Sequence, residues 1–204
     1  MSTPIIHYFF VQSPWAFFGF RRATEIARKH NTPIIHKPVR SADVWQHGGG
    51  VPLAKRPIPR QEYRLVELKR WSDFLGIPIN FHPAHFPVDE TLAARTIIAV
   101  QEDGKNPAGL IETLMGDIWL RERDITAPQT VREALISNNL SGEYLDHADY
   151  PAIAKIYETN SEAAKTDNIF GVPTYFVNGE MFWGQDRLEF VNRALSKQDE
   201  PIQT

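Results

Sequence analysis

The chain has 204 residues, 42% apolar and 11% aromatic, enough to bury a full core in one large domain or in a domain with a big insertion. Its 22 basic and 25 acidic residues leave a net charge of −3, which argues against a nucleic-acid footprint, and no apolar run approaches the ~20 residues a membrane span needs. With no cysteine, disulfides, thiolate metal sites and dithiol redox chemistry by the protein itself are excluded.

The start, MSTPIIHYFF, has neither a basic n-region nor a small-residue cleavage site, so a soluble, cytoplasmic protein is expected. Ile5 to Val11 (IIHYFFV) is apolar on both faces, the pattern of a buried central strand. Gln12-Ser13-Pro14 ends it. Ser13 is a good N-cap and Pro14 suits the first helical position, so a helix is predicted from about Pro14 to His30, burying Phe17, Phe18 and Ile26. Thr32-Pro33 breaks that helix, and Ile34-Ile35-His36 begins a second strand.

The middle of the chain reads as mostly helical. Ser41 to Pro59, rich in glycine and proline, is predicted to be an irregular loop. Arg60 to Leu75 carries Tyr63, Val66, Trp71 and Phe74 on a charged background, an amphipathic helix ended by Gly76 and Pro78. Two prolines break Ile79 to Pro87, which should be extended or loop. Three further helices follow: one capped by Asp89 and running through Val100, one from Pro107 through Trp119, and one from Pro128 through Ile136. Arg121 to Asp124 reads as a solvated helix end. A last helix of the middle section spans Pro151 to Ala164. His82-x-x-His85 lacks a helix and a third ligand, so no metal site is expected.

In the last third, Thr174 to Val177 and Met181 to Trp183 are β-favouring runs joined by Asn178-Gly179, with Glu180 completing a short loop. Gly171-Val172-Pro173 precedes them, and a cis Val172–Pro173 bond would expose the Val172 main chain to a ligand lying alongside. After Gly184 the period changes to a helix with Asp186 as N-cap and Leu188, Val191 and Leu195 on one face. The order β–α–β, helices, β–β–α is that of an α/β thioredoxin-like fold with a large helical insertion. Residues 1–40 and 167–204 would form the thioredoxin-like domain and 41–166 the inserted helical one.

The first 30 residues, the segments GGVPLAKR, YRLVELKRW and FPVDETLAAR, and above all GVPTYFVNGEMFWGQDRL resemble the 2-hydroxychromene-2-carboxylate isomerase family. That family is thioredoxin-like and related to kappa-class glutathione transferases and DsbA-like oxidoreductases. The resemblance implies a glutathione-dependent isomerase of aromatic-compound degradation, a homodimer, acting on a small aromatic carboxylate. It makes Ser13 the catalytic hydroxyl facing the glutathione sulfur, and places Val172, Pro173, Gln185 and Asp186 along the tripeptide. The family's ligand lysine falls at Arg60, and a ligand asparagine falls near Gly50 or Val51, where this chain has no amide. Two alternatives stay open: a glutathione transferase, and a non-catalytic glutathione- or peptide-binding protein.

Overall fold

One side of the sheet is a parallel pair: β1 (Ile5–Phe9) runs beside the edge strand β2 (Ile34–Pro38) in the register Ile5 to Ile34 through Phe9 to Pro38. The computed structural model describes residues 3–196. The helix α1 (Pro14–Lys29) makes the crossover, starting at Ser13 as the sequence predicts. On the other side of β1, β3 (Thr174–Val177) pairs antiparallel with Tyr8 opposite Thr174, and β4 (Glu180–Trp183) pairs with β3. The strand order β2-β1-β3-β4 puts β1 inside the sheet, which is why its residues are apolar on both faces. A helix, α9 (Leu188–Ser196), follows β4 and buries Leu188, Val191 and Leu195 against α1 and the sheet.

Between β2 and β3 lie α2 (Ser41–Gly48), α3 (Ile58–Leu75), α4 (Thr91–Glu102), α5 (Ala108–Trp119), α6 (Pro128–Ser137), α7 (Tyr144–His147) and α8 (Pro151–Thr166). The principal core joins Phe9, Val11, Ala16 and Phe20 to the inner faces of α4, α5 and α6. Apolar packing therefore crosses the boundary expected after residue 40. Residues 1–2 and 197–204, assigned from sequence to the thioredoxin-like unit, lie outside the described residues. No described helix is long and apolar enough to cross a membrane.

Several expectations are corrected. The strand ends at Phe9, and Phe10 to Ser13 form the turn into α1. Phe18 is fully buried, whereas Phe17 and Ile26 are only partly so. Much of the Ser41–Pro59 stretch is helical: α2 buries Val44 beside Phe10, and Gly49, at φ 70°, closes it in the left-handed conformation that glycine tolerates. Leu53–Lys55 adds a 3₁₀ turn. The apolar stripe expected of α3 faces outward, with Tyr63, Val66 and Phe74 exposed and Leu68 buried. Glu180 belongs to β4, opposite Val177, so the hairpin turn is the two residues Asn178 and Gly179, both at positive φ. Arg121 is not merely solvated, since its Nε donates to the buried Asp117 Oδ1 at 2.7 Å. The short α7 went unpredicted because one turn carries too little periodicity.

Candidate functional site

Ser13 sits where β1 hands over to α1. Its backbone is extended (φ −77°, ψ 122°), and its Oγ accepts the Ala16 N–H at 3.2 Å. That cap uses one lone pair and leaves the hydroxyl proton free to donate elsewhere. Ser13 is 6% exposed as a residue, and it stands at the positive end of a 16-residue helix.

The residue before it is clamped. Gln12 Nε2 donates to the Val88 carbonyl at 2.9 Å, and the Val88 N–H donates back to Gln12 Oε1 at 3.1 Å. The Gln12 N–H donates to Glu90 Oε2 at 3.0 Å. Glu90 is 4% exposed, its Oε1 has no partner among the described residues, and burial pushes its carboxyl up to about 7. Neither Gln12 nor Glu90 was singled out from sequence, because an acid before a helix reads as an ordinary first-turn residue.

The antiparallel register of β3 carries Gly171 to Pro173 alongside this turn. Val172 packs with Tyr8, Phe10 and Val39, and the Val172–Pro173 bond is cis. Among the described residues no hydrogen bond engages the Val172 N–H or C=O. A Cβ at Gly171 would come within 2.5 Å of Trp183 Nε1, so a side chain there must displace the indole. The indole lies over this glycine and meets Phe170 edge-on at 4.8 Å. Pro173 O accepts the Gly184 N–H at 2.8 Å, which ties the end of β4 to the start of β3.

Gln185 to Arg187 form a 3₁₀ turn ahead of α9, so Asp186 lies within this turn and is not an N-cap. Gly184, at φ 106°, opens the turn; a Cβ there would meet Asp186 Oδ1 at 2.4 Å. The Gln185 side chain points inward, where its Oε1 accepts from Arg22 Nη1 at 2.8 Å and its Cβ packs on Gly19 of α1. Asp186 is exposed and paired with Arg187 at 2.7 Å. Ser13 thus caps the helix against which Gln185 packs at Gly19 and Arg22, and among the described residues no hydrogen bond joins Ser13 to Val172, Pro173 or Asp186. Arg60 makes no hydrogen bond or ion pair with them; it is exposed in the first turn of α3. His85, read from sequence as a surface histidine, lies 3.9 Å from Asp124.

Residues 4–196 match the family model described as the DSBA-like thioredoxin domain. A 2-hydroxychromene-2-carboxylate isomerase of Pseudomonas putida is 26% identical over 196 residues, covering 93% of each chain. Glutathione S-transferase kappa 1 of Homo sapiens is 26% identical over 206 residues, covering 92% of this chain and 88% of its own. A solved 2-hydroxychromene-2-carboxylate isomerase shares the fold, with a TM-score of 0.78 at 23% identity over 96% of this chain and 95% of that one.

Proposed function

The chain belongs to the DSBA-like thioredoxin domain family, and from that premise we propose that it is a glutathione-dependent cis–trans isomerase of a 2-hydroxychromene-2-carboxylate-like substrate. The observation that carries this reading is the Ser13 hydroxyl, which caps α1 with its proton uncommitted; the Val172 main chain, unpaired among the described residues, adds to it. Support comes also from the Pseudomonas putida relative, whose name is 2-hydroxychromene-2-carboxylate isomerase. Glutathione fits the residues present: a hydroxyl donor for its sulfur, an unpaired peptide edge for its main chain, and Asp186 for its ammonium.

The chemistry that bound glutathione would supply is a thiolate for reversible addition to the substrate's conjugated double bond. The protein's task is to hold that sulfur ionised and to orient it. A free thiol has a pKa of ~8.5, so ionisation at neutral pH needs a drop of roughly two units, about 2.7 kcal/mol. The N-terminus of α1 contributes ~0.3–1 kcal/mol, and ~2 at most. A hydrogen bond from Ser13 to a charged acceptor adds ~1.5–3 kcal/mol. The two act together, with Ser13 as donor and not as nucleophile. Val172 pairs the tripeptide main chain, Pro173 shapes the approach, the Gln185 main chain and Asp186 receive the γ-glutamyl end, and Arg60 supplies a cation at the rim. The proposal includes a cytoplasmic homodimer, for which the exposed Tyr63, Val66 and Phe74 of α3 offer an apolar face.

An ultraviolet titration of protein-bound glutathione tests this. Ser13→Ala is expected to raise the bound thiol pKa by about one to two units, and an unchanged titration would remove Ser13 from its role. Glutathione recovered intact after turnover supports the isomerase. Its consumption would instead favour a transferase, the reading that the human kappa relative supports.

A further inference from the structure

Arg56, just before α3, and Arg60 and Arg64 in its first half form a set of cations for which no ion pair is found among the described residues. Arg64 Nη2 is buried without a hydrogen-bond partner, and its guanidinium lies 5.4 Å over the Phe86 ring, which itself packs on Trp119 at 4.9 Å. Burial and the neighbouring Arg56 push Arg64 down to about 10, while burial and Arg60 lower Arg56. Other arginines have acid partners, among them Arg70 on the same helix with Glu67, Arg21 with Glu112 and Arg121 with Asp117, although Arg95 Nε is also buried without a hydrogen-bond partner. Among the described residues no carboxylate forms an ion pair with Arg64. Taking a guanidinium out of water beside like charges opposes folding unless an anion repays it.

We propose that Arg64 is the seat of a carboxylate carried by an aromatic ligand, and so a specificity-determining residue of the site built on Ser13. This rests on the isomerase reading for the identity of the chemistry, and it adds the residue that selects the anion. The planar guanidinium fork matches a carboxylate in two parallel hydrogen bonds. Phe86 beneath it offers an apolar floor for a ring. The position also fits, because Phe86 is two residues from Val88, at most ~7 Å of extended chain, and Val88 clamps Gln12 directly before Ser13. Arg60, favoured from sequence, is exposed to water, where a charge pair contributes little.

The carboxylate could also be that of glutathione itself, and the test separates the two. Binding of trans-cinnamate and of the neutral cinnamamide is followed by tryptophan fluorescence in the wild type, Arg64→Met, Arg64→Gln and the control Arg70→Ala. Wild type and Arg70→Ala should bind cinnamate about ten-fold or more tightly over the amide, the factor expected for a hydrogen-bonded charge pair. Both Arg64 variants should lose that preference while melting no lower than wild type, since an unpaired charge has been removed. A preference retained in a folded Arg64 variant would overturn the proposal. So would weakened glutathione binding with cinnamate unaffected, because the seat would then belong to glutathione. Wild type that binds cinnamate selectively but not glutathione would strike the isomerase reading alone.

Discussion

Replacing His7 with phenylalanine and His36 with leucine should make the protein resist acid better. The two rings are buried and face each other through Nδ1 at 3.1 Å, so one donates the single shared proton and the other accepts it. Burial pushes His36 down to about 3, and burial with the His36 charge lowers His7 in the same direction. A histidine whose folded pKa is depressed takes up its proton on unfolding, so its contribution is intact above ~6.5 and is lost as pH falls below that value. At pH 5.0 the unfolded His36 is about 1.5 units below its pKa and the folded one remains neutral. At about 1.36 kcal/mol per unit this costs ~2 kcal/mol relative to pH 7.5, with His7 adding in the same sense. The loss is a large fraction of a typical ~5–15 kcal/mol.

Glu90 opposes it. Its raised folded pKa makes it stabilising at low pH and costly above about 7, so the wild-type profile alone mixes both effects. Comparison with the double variant cancels Glu90. The variant should fold, because His7 is stacked between Phe9 and Tyr175 at 4.7 and 4.8 Å, where a phenyl ring substitutes well. The strand bonds at residue 36 come from its main chain to Gln101, at 2.9 and 3.1 Å. Urea unfolding at pH 7.5 and 5.0 should show the wild type losing at least ~2 kcal/mol more than the variant. A change in the gap below ~0.5 kcal/mol would refute the assignment of the pair as buried and neutral.

Glu90→Gln should stabilise the protein by ~2–3 kcal/mol at pH 8.5 and by almost nothing near pH 4, because it removes a carboxyl forced to ionise in the interior; denaturant melts across that range test it. Trp119→Ala, at a fully buried ring packed on Phe86, should cost ~3–5 kcal/mol and lower the melting temperature. Gly171→Ala should cost ~1–3 kcal/mol by driving a methyl into the Trp183 indole, seen as a shift in tryptophan fluorescence together with a lower denaturant midpoint.

Local signals in the chain were readable where they act over a few residues. Ser13-Pro14 starts α1 because a capping hydroxyl and a fixed φ favour a helix start at short range. Asn178-Gly179 turns the hairpin because both residues accept positive φ, and Leu188, Val191 and Leu195 fall on one face of α9 through the helical period alone. The central place of β1 was visible in its apolar run. The place of the Val172–Pro173 segment directly before β3, which runs antiparallel to β1, comes from the sheet register.

Other features depended on which surfaces meet. α2 forms in a glycine- and proline-rich stretch because Val44 finds Phe10 and the end of the helix closes on Phe170, contacts more than a hundred residues apart in the latter case. Gln185 turns inward because α1 presents Arg22 to it. Glu90 becomes a buried acid under Gln12 only once α4 docks on the β1–α1 turn. The same holds for Arg64, an ordinary residue of an amphipathic repeat until Phe86 and Arg56 surround it without a counter-charge. Propensity, capping and turn geometry are properties of neighbours along the chain, so the amino-acid sequence by itself determined most of the elements other than α2 and α7, their order and the helix start that carries Ser13. Burial, pairing and the charge left unanswered are properties of neighbours in space, and only the tertiary structure decided them.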